Sequence, residues 1–267
     1  MIVRSLALTT ELALAALRGR VTDRGDYLVV ETPDNPGYYD GNVLVLPAPP
    51  QVGEVTYWTR RFTDELGKNP AIKHVTLWWD GTNGDEGAGA ELRAAGFTLQ
   101  TNQVMVLERG ARASDGAATY GSASTLPIRE LTADEVLATA DLAYTIGDRH
   151  DDSYRLFLDR RAAWHRDLVT SGRATFWGAF DGDTLAASLG LVWLEDKKVA
   201  RYQDVQTLPT HRKRGLAAAL LDASTRAAFA RGIDRVVIIA EPDGAGSRLY
   251  ARHGFRTVER TVNARRV

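Results

Sequence analysis

The sequence predicts an α/β protein of two consecutive domains, each a mixed, twisted β-sheet flanked by helices. Three observations carry that expectation. Segments with apolar residues at helical spacing alternate with short continuous apolar runs, the rhythm of strands and helices packed in layers. A stretch rich in Gly, Ala and Ser, from Glu108 to Thr125, has no apolar periodicity and reads as a linker. Landmarks of the second part also recur in the first, in the same order. The expected division is 1–110, a linker at 111–125, and 126–267.

The second part is the more legible. Thr132 and Glu135 have capping-box spacing ahead of Val136, Ala140, Ala143 and Tyr144, so a helix is expected there. A second helix is expected over 153–170. The runs 175–180 and 184–194, joined through Asp181-Gly182-Asp183, predict a hairpin. A further strand follows over 198–207. Leu216, Ala219, Leu220, Ala223, Ala227 and Phe229 predict a helix that Gly232 ends. The run 235–240 is continuously apolar, as a strand covered on both faces should be. A short helix ends at Gly254, and 256–267 should supply terminal strands of the same domain.

The first part repeats this in shortened form. Arg93-Ala94-Ala95-Gly96-Phe97 matches Ala251-Arg252-His253-Gly254-Phe255. The apolar strand 72–80, closed by Asp80, matches 233–241, closed by Glu241. Leu46-Pro47 with Pro50-Gln51-Val52-Gly53 matches Leu208-Pro209 with Arg212-Lys213-Arg214-Gly215. Near-constant offsets between these landmarks point to a duplicated domain.

Composition narrows the function classes. The chain has 267 residues, 44% hydrophobic and 25% charged, with a formal net charge of −1. That balance suits a soluble globular protein and gives no electrostatic reason to expect nucleic-acid binding. No apolar run approaches the ~18 residues of a membrane span. The first residues lack the pattern of a secretory signal, so a cytoplasmic location is expected. Cysteine is absent, which excludes disulfides and thiolate metal sites. His74, His150, His165, His211 and His253 are scattered without metal spacing, so no metal is expected.

The strongest local signal runs from Val205, Gln206 and Thr207 through Leu208-Pro209-Thr210-His211 to Arg212, Lys213, Arg214, Gly215, Leu216 and Ala217. A strand ends, a cationic loop follows, and a helix begins at Gly215. Helix N-termini present unpaired N–H groups and a favourable dipole to anions. Gly215 permits close approach of a ligand, and the cations suit phosphates. The spacing fits neither a Walker loop nor a dinucleotide fingerprint.

These residues resemble the GNAT superfamily of N-acetyltransferases. Its phosphate-binding motif, Gln/Arg-x-x-Gly-x-Gly/Ala, is matched by Arg212-Lys213-Arg214-Gly215-Leu216-Ala217. Thr207-Leu208-Pro209 stands where the family has a V-x-P-like strand end, with Thr207 in place of the usual aliphatic residue. Downstream, the family's Asn, small residue and Leu-Tyr-x-x-x-Gly-Phe segment correspond to Asp243, Gly246 and 249–255, with Asp243 replacing Asn. The resemblance covers essentially all of the second part and implies acetyl-CoA as co-substrate and an amine acceptor. It implies that the main chain of Val205 to Thr207 pairs with the pantetheine arm and polarises the thioester carbonyl. It also implies that Tyr250 protonates the departing thiolate; a phenol starts near a pKa of ~10. Asp204, just before the pantetheine segment, is the leading carboxylate for a general base, with a structural aspartate as the alternative. The polar segment 144–154 corresponds to a region that often lines the acceptor site.

In the first part Pro50 stands in place of the arginine and removes an N–H. Val55 stands where a small residue is needed, Glu54 adds negative charge, and Leu92 replaces the tyrosine. This half is expected to have lost cofactor binding. The resulting expectation is direct acyl transfer from acetyl-CoA to an amine by a monomer or homodimer. A non-catalytic acyl-CoA sensor and an O-acyltransferase remain as alternatives.

Overall fold

The computed structural model describes residues 1–111, 124 and 126–267. Apart from Ala111 and Ser124, the expected linker at 111–125 lies outside the described residues. In chain order the elements are α1 (Leu6–Arg18), β1 (Arg20–Asp23), β2 (Leu28–Glu31), β3 (Val43–Leu46), α2 (Val55–Leu66), β4 (Val75–Trp79), α3 (Gly89–Ala94) and β5 (Thr98–Glu108). Then come β6 (Ile128–Glu130), α4 (Thr139–Ile146), α5 (Asp152–Thr170), β7 (Ala174–Asp181), β8 (Thr184–Leu194), β9 (Val199–Thr207), α6 (Leu216–Ala230), β10 (Arg235–Ala240), α7 (Ala245–Arg252) and β11 (Arg256–Arg266). The chain forms two compact units. The first holds Met1–Val104, Ile239–Pro242 and Thr257–Val267; the second holds Met105–Ile238 and Asp243–Arg256.

In the first unit the strands run in the order β1-β2-β3-β4-β11. Pairing is antiparallel except between β3 and β4, so the sheet is mixed. Trp58, Phe62 and Leu66 recur at helical spacing along α2 and pack on Leu44, Leu46, Leu77 and Trp79 from alternating sheet positions. Leu8 of α1 packs with Leu28, Val30 and Val43 in a separate buried cluster.

The first unit is not contiguous in sequence but draws on three separate stretches of the chain. The last strand belongs with the first unit: Asn263 faces Trp78, Ala264 faces Leu77, and Val262 and Ala264 are buried in its core. Glu259 also accepts hydrogen bonds from the N–H groups of Leu6 (2.8 Å) and Ala7 (3.2 Å) in the first turn of α1. A carboxylate there satisfies orphan donors and meets the positive end of the helix dipole. These contacts span most of the chain, so no local pattern announces them.

The second unit orders its strands β10-β9-β8-β7-β6, antiparallel except between β9 and β10. The capping box forms as expected: Thr132 N–H donates to Glu135 at 2.9 Å and Glu135 N–H to Thr132 Oγ1 at 3.3 Å. The turn it starts is 3-10 over Glu135–Ala138, and the α-helix begins at Thr139. The hairpin closes with Asp181 opposite Thr184, leaving Gly182 and Asp183 as its two-residue turn, with Gly182 at φ +60°. Phe176, Leu189, Leu191 and Tyr202 are among the largest fully buried side chains.

Candidate functional site

β9 has two different partners along its length. Against β10 it pairs only over Val199–Arg201 (facing Arg235–Val237), and then the parallel ladder stops. Against β8 it stays paired to Thr207, which faces Ala187. From Tyr202 onward, the edge turned away from β8 therefore has no strand partner among the described residues. Backbone N–H and C=O groups need partners, so this strip of main chain offers them to solvent or a ligand. Gln203 to Thr207 are correspondingly half-buried, although the strand lies inside the sheet order.

The same stretch bulges. Gly190 faces Gln203 and Ser188 faces Gln206, so β9 carries one residue more than β8 in that interval. Asp204 absorbs the extra residue with φ +46°, a left-handed conformation costly in a non-glycine residue. Beyond the bulge, Gln206 Oε1 and Ser188 Oγ are both shut away from water with no hydrogen-bond partner among the described residues. Buried orphans of this kind call for a partner, and the Gln206 acceptor, on the strand with the unpaired edge, fits an extended ligand carrying amide donors.

The strand runs into the cationic loop. A 3-10 turn over Pro209–His211 leads to Lys213 at φ +62° and Gly215 at φ +76°, and α6 starts immediately afterwards. Gly215 is the N-cap, and no side chain caps the first turn. The N–H groups of a 15-residue helix are thus left available for an anion. Leu216 is buried in the core, so its contribution there is its main chain. The three cations differ in placement. Arg212 donates from Nε to the Thr207 carbonyl at 3.4 Å, Arg214 lies 3.6 Å from Asp181, and Lys213 makes no ion pair among the described residues. Asp181, at the end of β7, also meets His211 Nε2 at 3.0 Å, while Thr210 Oγ1 meets His211 Nδ1 at 2.9 Å. The His211 contact, with Arg214 adding to it, holds Asp181 below the usual carboxylate range. Sequence reasoning missed this clip between hairpin and loop; the turn at Gly182 was its only local trace.

Tyr250 lies on α7 and is buried, 7% exposed. Phe255 packs against it (ring centroids 6.0 Å apart) and against Tyr202 (6.1 Å). The Tyr202 hydroxyl is engaged by Ser224 (3.0 Å) and Thr225 (2.8 Å) of α6, whereas the Tyr250 hydroxyl has no hydrogen-bond partner among the described residues. Burial, with Tyr202 nearby, pushes the Tyr250 pKa up to about 12. Gly246 sits one helical turn earlier, and a Cβ there would lie 3.3 Å from the Tyr250 hydroxyl and ring. Its small size thus makes room for Tyr250. Asp243 is exposed at φ +58°, and its carbonyl accepts from Arg248.

Asp204, the sequence's leading carboxylate, is held from α5. Its Oδ2 lies 3.2 Å from Arg161 Nη2 and 3.8 Å from His165 Nδ1. Arg161 and His165 are four residues apart on one helix face, a spacing visible in sequence but uninformative until β9 is placed against it.

The corresponding place in the first unit is closed. β3 stays paired with β4 to its last residue, Leu46 opposite Trp79, and Asp80 N–H donates to the Leu46 carbonyl at 3.0 Å. The loop before α2 is filled by the protein's own carboxylates. Glu54 accepts from Gln51 N–H at 2.9 Å and Glu91 from Gly53 N–H at 2.7 Å. Leu92, at the position of Tyr250, is fully buried. The surrounding frame is nevertheless the same. Phe97 N–H donates to the Leu92 carbonyl at 3.0 Å and Phe255 N–H to the Tyr250 carbonyl at 3.1 Å, across Gly96 at φ +83° and Gly254 at φ +84°.

Comparison with known proteins agrees with this geometry. A search of curated proteins gives no match. Among solved structures the chain resembles a functionally unknown conserved protein from Staphylococcus epidermidis (TM-score 0.68, 14% identity, 94% of each chain covered). It also resembles a GCN5-related N-acetyltransferase from Kribbella flavida (TM-score 0.64, 15% identity, 100% of this chain and 96% of that one). A tandem GNAT protein from the clavulanic acid biosynthesis pathway matches with TM-score 0.53 and 14% identity over 84% of this chain and 74% of that one. At such identities the likeness is one of fold. The model of the Acetyltransferase (GNAT) family matches residues 135–255, which contain the bulged strand, the loop, α6 and α7. Residues 135–255 therefore match the GNAT acetyltransferase family, whose chemistry is acyl transfer, and the chain shares its fold with a tandem GNAT protein.

Proposed function

We propose that the second unit is an acyl-CoA-dependent N-acyltransferase that moves an acetyl group to an amine. One observation carries the reading: a strand bulged at Asp204 and unpaired beyond Arg201 leads directly into an uncapped, cation-flanked helix N-terminus. An extended main-chain edge followed by an anion site suits a long amide-bearing arm that ends in phosphates.

Acetyl-CoA, when bound, would supply the activated acyl thioester and a thiolate leaving group. The main chain of Val205, Gln206 and Thr207 would hold the arm. The N–H groups of Gly215, Leu216 and Ala217 would hold the phosphates, with Arg212, Lys213 and Arg214 adding charge. Tyr250 keeps its proton at any working pH, because burial raises its pKa to about 12. A phenol that weakly acidic serves a departing sulfur first as a hydrogen-bond donor, and transfers its proton only as negative charge builds there. Asp204 would meet the positive charge of the arriving ammonium and take the proton that frees the nitrogen lone pair. The nitrogen would then bond to the thioester carbonyl carbon as the carbon–sulfur bond breaks, and the sulfur would leave with the Tyr250 proton.

The test is release of free thiol from acetyl-CoA against a panel of amines and alcohols, with products identified by mass. Thiol release that depends on an amine and yields an N-acetyl product supports the reading. Release that depends only on alcohols would replace it with O-acyl transfer. Tight CoA binding without turnover on any acceptor would favour a sensor.

A further inference from the structure

We propose that the acceptor is an α-amino acid with an apolar side chain, whose ammonium and carboxylate are received by Asp204 and Arg161 together. The inference rests on the acyltransferase reading above.

The Asp204–Arg161 pair is costly for the fold. Asp204 adopts φ +46° within a strand, and its side chain is only 15% exposed, against 19% for Arg161. Left-handed backbone at a non-glycine residue is a strain that persists chiefly at functional sites. Largely desolvated ion pairs seldom repay their desolvation in stability. Both costs fall on Asp204, inside the unpaired stretch and immediately before the residues that would hold the acyl donor.

The pair is also unfinished. Arg161 approaches Asp204 most closely through Nη2 and Oδ2, at 3.2 Å. Its guanidinium rests over the Phe157 ring at 5.2 Å, and its other N–H donors have no partner among the described residues. Asp204 Oδ1 likewise has none. A bidentate guanidinium–carboxylate pair would have used these groups on each other. In the observed arrangement, an anionic acceptor site and a cationic donor site are left side by side. An α-amino acid presents the complementary pair, an ammonium and a carboxylate on one carbon. A bare polyamine would leave the Arg161 charge unmatched, and a simple carboxylic acid would leave Asp204 unmatched.

The side-chain preference follows from the same helix. Phe157 stacks with Tyr154 (5.9 Å), and Tyr154 with Tyr144 of α4 (6.2 Å). All three are half-buried, so a row of aromatic surface adjoins the guanidinium. Arg149 lies over the Tyr154 ring at 5.5 Å and Arg155 over Tyr144 at 5.8 Å. Cations therefore already rim the row, which disfavours a cationic side chain and leaves an apolar or aromatic group as its complement.

The experiment compares L-phenylalanine with phenethylamine, which lacks only the carboxylate, on the full chain. Binding is read by calorimetry with and without CoA, and acetylation by thiol release. L-Phenylalanine should bind and should exceed phenethylamine in kcat/KM by at least about ten-fold, as expected when a site built for a polar group meets an analogue lacking it. Arg161→Gln should bring that ratio close to one while CoA affinity stays at the parent level. If that variant does not fold, Arg161→Lys, which keeps the charge but loses the fork, should lower the ratio partway. Equal or better use of phenethylamine by the parent chain would overturn the proposal, as would an Arg161→Gln ratio equal to the parent's. CoA binding without amino-acid binding would overturn this inference alone. Absence of CoA binding would overturn the acyltransferase reading and the inference with it.

Discussion

The Glu91 carboxylate accepts a hydrogen bond from Gly53 N–H at 2.7 Å, in the loop of the first unit that matches the cationic loop of the second. Glu54 does the same for Gln51 N–H at 2.9 Å. Carboxylates of the chain thus occupy donors that in the second unit stay available. The Glu91→Ala chain should lose about 0.5–1.5 kcal/mol, the net worth of one such bond, read from its urea midpoint. It should gain no second CoA site, because β3 and β4 remain zipped to Leu46 and Trp79. A second site appearing in that variant would show that the carboxylate alone had blocked the unit.

Tyr250→Phe keeps the ring and its packing and removes one proton. Turnover should fall by on the order of 10²-fold, the low end for a general acid, with CoA affinity little changed. Because the Tyr250 pKa is raised to about 12, the parent enzyme's alkaline fall in activity below about pH 11 should come from some other group and persist in the variant. An alkaline fall near pH 10 that vanishes in Tyr250→Phe would contradict the placement of this hydroxyl.

Stability should carry the same signature. Burial raises both Tyr202 and Tyr250 to about 12, from an ordinary value of 10.0. The unfolded chain ionises these phenols first, so their contribution is complete below pH ~10 and is lost as pH rises toward ~12. Urea midpoints measured from pH 9 to 12 should fall across that window, and Tyr250→Phe should fall less steeply. Parallel curves would mean that Tyr250 titrates as an exposed phenol.

Much of this site was legible because its information is local. Gly215, Lys213 and the cations around them sit on a few consecutive residues, and the strand–loop–helix order followed from periodicity. Tyr250 was legible through Gly254 and Phe255, whose turn fixes it. Long-range pairings were not legible. The return of the last strand to β4, the hold of Arg161 on Asp204 and the clip from Asp181 to His211 each join residues with no sequence proximity. The resemblance puts Gly246 at the family's small-residue position, and the structure gives it a reason to be small: its place against Tyr250. The bulge at Asp204 left no readable trace in the residue types of β9: aspartate tolerates left-handed backbone better than most non-glycine residues, but it is too common elsewhere to mark such a position.

Gly246→Val tests that last point. Its Cβ would enter at 3.3 Å from the Tyr250 hydroxyl, and the two γ-carbons would press further. The variant should lose about 1–3 kcal/mol through overpacking and should lose turnover as Tyr250→Phe does. Parent-level turnover with intact folding would show that the Tyr250 hydroxyl has no fixed position in the chemistry.

Calorimetric titration of acetyl-CoA into the full-length chain and into its Arg212→Glu variant bears most directly on the proposed acyl-CoA site of the second unit. One molecule should bind per chain, and reversing the charge that stands beside the Thr207 carbonyl should weaken binding by at least about ten-fold, roughly 1.4 kcal/mol. Two equivalent sites per chain, no binding at all, or an Arg212→Glu variant with the parent's affinity would contradict it.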